Sequence, residues 1–213
     1  MKQKYMIRVT VLALILSGWG LFIYQYFQFK SKDKYHGILY QKEAPNFTLT
    51  AHDGKKATLS QFRGKVTLIV WGYTHCPDIC PLTLSMLRGV MNELGNKQDQ
   101  VQVLYITVDP ERDTVERLKA YIPHFHESFI GLTGTNQDIE KVAKAYDVFY
   151  INHGDSYGRS EYDTWAEYQM THSSTIYLVN QRGKLFMTYP YNKFDSKGIA
   201  QDIKKVLSNG GEH

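Results

Sequence analysis

Val66-Thr67-Leu68-Ile69-Val70-Trp71-Gly72-Tyr73-Thr74-His75-Cys76-Pro77-Asp78-Ile79-Cys80-Pro81 is the stretch from which the fold can be read. Its first five residues form an apolar, β-branched run of the kind that makes a buried strand. Downstream, Leu84, Leu87, Met91 and Leu94 recur at helical spacing, and Pro81 falls where a first helical turn accepts proline. Cys76 and Cys80, the two cysteines of the chain, therefore sit on a strand-to-helix turn at or just before a helix N-terminus. Unpaired backbone N–H groups and the helix dipole favour an anion there, so a thiolate forms more readily. Such a turn suits a reactive or metal-binding sulfur.

The spacing adds to this. A helical backbone puts Cys76 and Cys80 on one face with Cβ atoms roughly 5–6 Å apart. A disulfide needs about 3.5–4.5 Å, so a bridge requires local adjustment. A metal bonded to each sulfur at about 2.3 Å, taking zinc as a guide, spans the gap with less strain. Both uses stay open. A purely structural bridge is the weaker reading, because so short a loop restrains little of the unfolded chain.

Outward from this turn, strands and helices alternate. Ala44-Pro45-Asn46-Phe47-Thr48-Leu49 reads as an entry strand, Asp53-Gly54 as a turn and Ala57-Thr58-Leu59 as a second short strand. Gln100 to Val108 reads as a strand, Thr114 to about His124 as a helix, and Phe129 to Leu132 as a short strand. Asn136 to Tyr146 reads as a helix capped by Asn136. Thr175–Val179 and Lys184–Thr188 flank Asn180-Gln181-Arg182-Gly183 as a hairpin, and Asp195 to Leu207 closes the chain as a helix. The order predicts an α/β domain with helices on both faces of the sheet. A dithiol where a strand feeds a helix is the thioredoxin arrangement, so a thioredoxin-like fold is expected, with added N-terminal strands and an inserted loop. That loop, Asp147 to Gln169, holds Tyr150, Tyr157, Tyr162, Trp165 and Tyr168 with Glu161, Asp163 and Glu167, and reads either as a partner-facing surface or as a lid over an edge.

The N-terminus has a different character. Lys2, Lys4 and Arg8 precede an uncharged run from Val9 to Phe27, 19 residues long, which nearly crosses a hydrocarbon core of about 30 Å. Trp19, Tyr24 and Tyr26 lie in its second half, as at a membrane interface. No small-residue cleavage site or lipid-accepting cysteine follows, which favours an uncleaved signal anchor over a cleaved signal peptide. The expected organisation is a cytoplasmic tail over 1–8, a single transmembrane helix over 9–27, a tether over 28–43 and the globular domain over 44–208. Lys30, Lys32 and Lys34 nearly balance the near-side charges, but a short tail before a long domain favours the domain on the oxidising side, where a disulfide persists. The net charge of +4 is small and scattered, which argues against nucleic acid as a partner.

Eight histidines are present, so each needs its own reason. His172 stands in Thr171-His172-Ser173-Ser174-Thr175, ahead of the strand Ile176-Tyr177-Leu178-Val179. In a thioredoxin-like fold the turn before that strand approaches the dithiol and usually carries a cis-proline; here there is no proline, and a histidine lies in or beside the turn. An imidazole facing two thiolates makes a set that suits Cu(I), and also Cu(II); zinc would want a fourth ligand. His75 beside Cys76 is expected to diverge from it. His124 and His126 read as solvated, His36, His52 and His213 as surface residues, and His153 as at most a secondary metal contact.

Three motifs together resemble the SCO/SenC family: Gly-Tyr-Thr-His-Cys-Pro-Asp-Ile-Cys-Pro at 72–81, Thr-Val-Asp-Pro-Glu-Arg-Asp-Thr at 107–114 and Thr-His-Ser-Ser-Thr-Ile-Tyr-Leu at 171–178. The resemblance runs from about Ala44 to Leu207. It implies a membrane-anchored, thioredoxin-like copper protein that serves assembly of cytochrome c oxidase. By motif, Cys76, Cys80 and His172 would be the copper ligands, with Asp78 tuning thiol chemistry or partner contact and Asp109 supporting the site. The position before the histidine is often acidic in relatives and is Thr171 here, which bears on how the imidazole is oriented. The implied function is copper metallochaperone rather than strict enzyme. It would act on the outer face of a bacterial cytoplasmic membrane, with its domain periplasmic or extracellular, and deliver Cu(I) or Cu(II) to the dinuclear centre of oxidase subunit II. Another copper chaperone or a thioredoxin-like reductant would be an upstream partner. The alternative is a thiol–disulfide oxidoreductase that reduces the subunit's cysteines before metallation, with Cys76 and Cys80 as its redox dithiol. A peroxiredoxin-type peroxidase fits poorly, since it calls for one activated cysteine held beside a Thr and an Arg.

Overall fold

A computed structural model describes residues 2–32, 35–152 and 170–209. The chain divides into two units, Met1–Tyr35 and His36–His213. The first is the helix α1 (Lys2–Lys32), which contains a 21-residue window, Met6–Tyr26, long and apolar enough to cross a membrane, with a mean hydropathy of 2.0. The helix is thus longer at both ends than the 9–27 span expected from the uncharged run.

The second unit is built on an eight-stranded mixed sheet. In chain order its strands are β1 (Ile38–Glu43), β2 (Thr48–Ala51), β3 (Lys56–Thr58), β4 (Val66–Gly72), β5 (Val101–Thr107), β6 (Ile130–Thr133), β9 (Thr175–Val179) and β10 (Lys184–Pro190). They lie in the order β1-β10-β9-β4-β5-β6-β2-β3. β4, β5 and β6 run parallel, whereas β9 joins β4 antiparallel and β10 closes the hairpin. A separate two-stranded ribbon pairs β7 (Tyr150–Asn152) with β8 (Met170–His172). The helices are α2 (Ile79–Leu94), α3 (Val115–Tyr121), α4 (Asn136–Ala145) and α5 (Ser196–Asn209). The βαβ unit β4-α2-β5 and the terminal β9-β10-α5 unit match the predicted thioredoxin-like plan.

β4 and β5 are buried at every position, as expected of strands covered on both faces. Ile69, Trp71, Leu104 and Ile106 share one core with Ile139, Val142 and Ala143 of α4. Alternation sends Leu68, Val70 and Tyr105 to the opposite face, where α2 packs on α5 and Leu118 of α3 meets Gly131 of β6. Tyr146, just after α4, ties the first core together. Its ring meets Phe47, Trp71 and Tyr177 at centroid distances of 6.1, 6.4 and 5.6 Å, and its hydroxyl donates to the Pro45 carbonyl at 2.9 Å.

Several local expectations need correction. Part of the predicted tether forms β1, whose six residues are all exposed and whose register shifts between Leu39 and Lys42. Just ahead of it, His36 and Gly37 donate their N–H groups to the buried Asp202 carboxylate of α5 at 3.0 and 2.8 Å, and the His36 ring bonds the Lys193 carbonyl at 2.7 Å. His36 is therefore part of this clamp and not a free surface residue. α4 is capped by Thr135, not Asn136: Thr135 Oγ1 accepts from Asp138 N at 3.1 Å and Thr135 N donates back to Asp138 at 3.2 Å. His52 and His126 are also engaged, His52 accepting from Gly131 N at 2.9 Å and His126 stacking on Phe129 at 5.1 Å. The aromatic and acidic residues expected between positions 153 and 169, with His153 and His213, lie outside the described residues.

Candidate metal centre

The turn that carries Cys76 lies between the end of β4 and the start of α2, and Asp113 shapes it from beneath. Its wholly buried carboxylate accepts from Thr74 N at 3.0 Å, from Thr74 Oγ1 at 2.6 Å and from Thr107 Oγ1 at 2.7 Å. Arg117 Nε donates to Thr74 Oγ1 at 3.0 Å. Burial pushes the Asp113 carboxyl above its usual range, against the pull of the threonine hydrogen bonds. His75 joins this group, its Nδ1 standing 3.2 Å from Thr74 Oγ1 and 3.9 Å from Asp113. The ring is engaged there rather than at the sulfurs, as expected.

Both cysteines are free thiols, Cys76 half-buried and Cys80 buried. A hydrogen bond from Cys80 to the Cys76 sulfur is the largest influence on Cys76. The backbone N–H groups of Asp78, Cys80 and Ile79 add to it, and together they outweigh burial and lower Cys76 to about 5. The same bond, burial and the charge on Cys76 push Cys80 upward. At neutral pH the pair is thus one thiolate accepting from one thiol, titrating in coupled steps. The expected result is that iodoacetamide labels Cys76 at a rate that rises through about pH 5 and is flat from pH 6 to 8. An ordinary thiol would rise through about pH 8.5. Quantitative mass spectrometry of the Cys76 adduct against pH distinguishes them.

The ribbon delivers the third residue. His172 Nε2 stands 3.5 Å from Cys80 Sγ, and Nδ1 stands 3.1 Å from the Ser173 carbonyl oxygen. A carbonyl only accepts, so this contact assigns the ring proton to Nδ1 and turns the Nε2 lone pair toward the sulfur. Ser173 is held in turn, donating its N–H to the Phe149 carbonyl at 2.9 Å and accepting from Phe149 N at 3.1 Å. The Tyr73 ring meets the imidazole edge-on at 6.2 Å. Burial lowers the His172 pKa and keeps the ring neutral, as a metal ligand must be. The imidazole is thus oriented by a backbone carbonyl, that of Ser173.

Cys80 is therefore the link, touching both Cys76 and His172. Among the described residues no three His, Cys, Asp or Glu side chains form a closed metal set. Asp78 occupies the position before α2, exposed and without a side-chain capping bond, and its backbone N–H donates to Cys76. Asp109 is linked to the site through Arg112: it pairs with that residue, whose guanidinium lies 5.7 Å from the Tyr73 ring, which meets His172. Asp113 lies inside the quoted 107–114 motif but was not singled out from sequence. Its sign was an acid directly before Thr114 at the head of a helix, a pattern that also reads as ordinary capping. Two soft sulfurs and a neutral imidazole nitrogen with its lone pair turned inward fit a soft metal such as Cu(I), and also accommodate Cu(II).

A family model described as SCO1/SenC matches residues 38–208. A SCO2-like protein of Rickettsia conorii is 38% identical over 140 residues, covering 65% of each chain, so this chain spans just under two thirds of that relative's length. The structure is similar to that of Bradyrhizobium japonicum ScoI with copper bound, at 35% identity over 78% of this chain and 99% of that one, with a TM-score of 0.66. It is also similar to BsSco, a member of the Sco family of cytochrome c oxidase assembly proteins in which a disulfide switch has been identified. There the identity is 25% over 81% of this chain and 98% of that one, with a TM-score of 0.62.

Proposed function

This chain belongs to the SCO1/SenC family, and on that premise we propose that it carries one copper ion on Cys76, Cys80 and His172 and passes it to the dinuclear copper site of cytochrome c oxidase subunit II. The observation that carries the ligand assignment is the imidazole, with Nε2 3.5 Å from Cys80 Sγ and Nδ1 tied to Ser173. The Bradyrhizobium relative binds copper, and BsSco belongs to a family of oxidase assembly proteins. Copper is cargo here, so its donors must release it as well as hold it. A half-buried Cys76 thiolate is the donor that an incoming acceptor reaches first, whereas Cys80 and His172 lie deeper. α1 would anchor the domain to the cytoplasmic membrane, on its periplasmic or extracellular side.

The test is a titration of the full chain in detergent with Cu(I) at pH 7, followed by mixing with copper-free subunit II. With Cys76 already ionised, Cys80 protonated and His172 neutral, one copper binds with release of about one proton. Two thiols of ordinary pKa would release close to two. Copper then appears in subunit II. A chain that retains no copper, or never gives it up to the subunit, contradicts the proposal.

A second reading is favoured by the split between the sulfurs, since a low-pKa thiolate beside a protonated partner is also the resting state of a disulfide reductant. Under that reading both cysteines are needed for oxidase maturation and His172 is dispensable.

A further inference from the structure

β5 is apolar toward both faces except at its ends, and Tyr105 places a hydroxyl in the middle of it. The residue is 1% exposed, and its oxygen has no hydrogen-bond partner that meets ordinary geometry among the described residues. A phenylalanine would fill the same space without leaving a polar atom in the core, where an unmade hydrogen bond costs about 1–3 kcal/mol. Gly72 shows where that oxygen points. A Cβ added there would stand 2.7 Å from Tyr105 Oη and 2.9 Å from Cys80 Sγ, so the absence of a side chain at Gly72 is what lets phenol and sulfur converge. Cys80 Sγ is an acceptor within reach of the hydroxyl.

We propose that Tyr105 is a positioning residue whose O–H donates to Cys80 Sγ and holds the dithiol toward its reduced form. The inference deepens the reading of Cys80 as a reacting sulfur and rests on it. A phenol keeps its proton to about pH 10 and is a donor throughout the working range. The sulfur accepts best when it carries charge or shares the thiol–thiolate bond with Cys76, and less well once it is part of a disulfide. Removing the donor therefore favours oxidation. Hydrogen bonds to a cysteine sulfur also tune metal–thiolate sites, so the same bond would bear on a Cys80–copper interaction.

The experiment equilibrates the full chain in detergent, wild type and Tyr105→Phe, with reduced and oxidised glutathione. At pH 7 two electrons and the one remaining thiol proton, that of Cys80, leave the pair as its S–S bond forms. The glutathione S–S bond breaks, takes up the two electrons and two protons (the second from solvent) and gives two glutathione thiols. The expected result is an equilibrium constant for protein oxidation about tenfold larger in Tyr105→Phe, equivalent to about 30 mV. A change below about threefold, or one toward the reduced form, overturns the proposal. If Tyr105→Phe does not fold, wild-type chain carrying ring-deuterated tyrosine gives the answer by infrared difference between dithiol and disulfide forms. A tyrosine C–O band that moves supports the bond, and a spectrum silent in tyrosine overturns it. The equilibrium needs no copper, so a chain that fails to bind copper still reports on Tyr105. An unchanged constant in a chain that binds copper refutes the tyrosine's role alone.

Discussion

Asp113→Ala lowers the stability of the folded domain by about 3–5 kcal/mol, comparable with breaking a buried charged pair. Three donors lose their acceptor at once: Thr74 N, Thr74 Oγ1 and Thr107 Oγ1. Each buried donor left unmade costs about 1–3 kcal/mol, offset where water enters the vacated space. Arg117, which bonds Thr74 Oγ1, also loses the fixed position of its acceptor. The functional consequence follows from position, because Thr74 lies two residues before Cys76 and fixes the turn that aims the α2 N–H groups at its sulfur. Cys76 in Asp113→Ala should drift back toward an ordinary thiol value, so the pH at which iodoacetamide labelling rises moves upward. Asp113→Asn keeps one acceptor oxygen but sets an NH2 group against the donors, and is expected to fall between wild type and alanine. Urea unfolding followed by tryptophan fluorescence, with labelling run in parallel, measures both effects. A stability loss under about 1 kcal/mol with unchanged Cys76 reactivity would show that Asp113 does not shape the turn.

His172→Ala weakens copper retention by more than about 100-fold. Loss of an outer partner to a metal ligand alone costs about 10–100-fold, and here a ligand itself is removed. The Cys76–Cys80 pair should survive the change. Its bond and the α2 N–H groups come from other elements, and the labelling profile of Cys76 stays close to wild type. This combination, copper lost and dithiol retained, distinguishes the carrier from the reductase. Competition with a chelator of known affinity measures the first, and oxidase maturation in cells carrying His172→Ala measures the consequence. Full maturation with His172→Ala would favour the reductase.

The stretch from Val66 to Leu94 was legible because its signals agree: a β-branched run buried on both faces, a proline in the first helical turn, and apolar residues at helical spacing. The hairpin β9–β10 and the closing helix were equally plain, with Asn180 and Gly183 marking the turn. β1 was hidden for a physical reason. All its side chains are exposed, and Gln41 adopts φ of 47° where the register shifts, so no alternation marks the strand. The α4 cap was misplaced by one residue, because Thr135 and Asn136 both suit a cap and only the Asp138 reciprocity decides between them. At the site, the place of His172 before β9 was readable, but its orientation was not. The group that fixes it is the Ser173 carbonyl, and a backbone oxygen leaves no mark in a sequence. The clamp of His36 and Gly37 on Asp202 likewise joins residues 166 and 165 positions apart through backbone N–H groups.

The most direct test of the ligand set is copper K-edge X-ray absorption on the full chain loaded with one equivalent of copper, in wild type and His172→Ala. The account predicts two sulfur donors and one imidazole nitrogen in the wild type, and loss of the imidazole scattering in His172→Ala with both sulfurs retained. A wild-type spectrum without sulfur donors, or an imidazole signal that persists in His172→Ala, would contradict it.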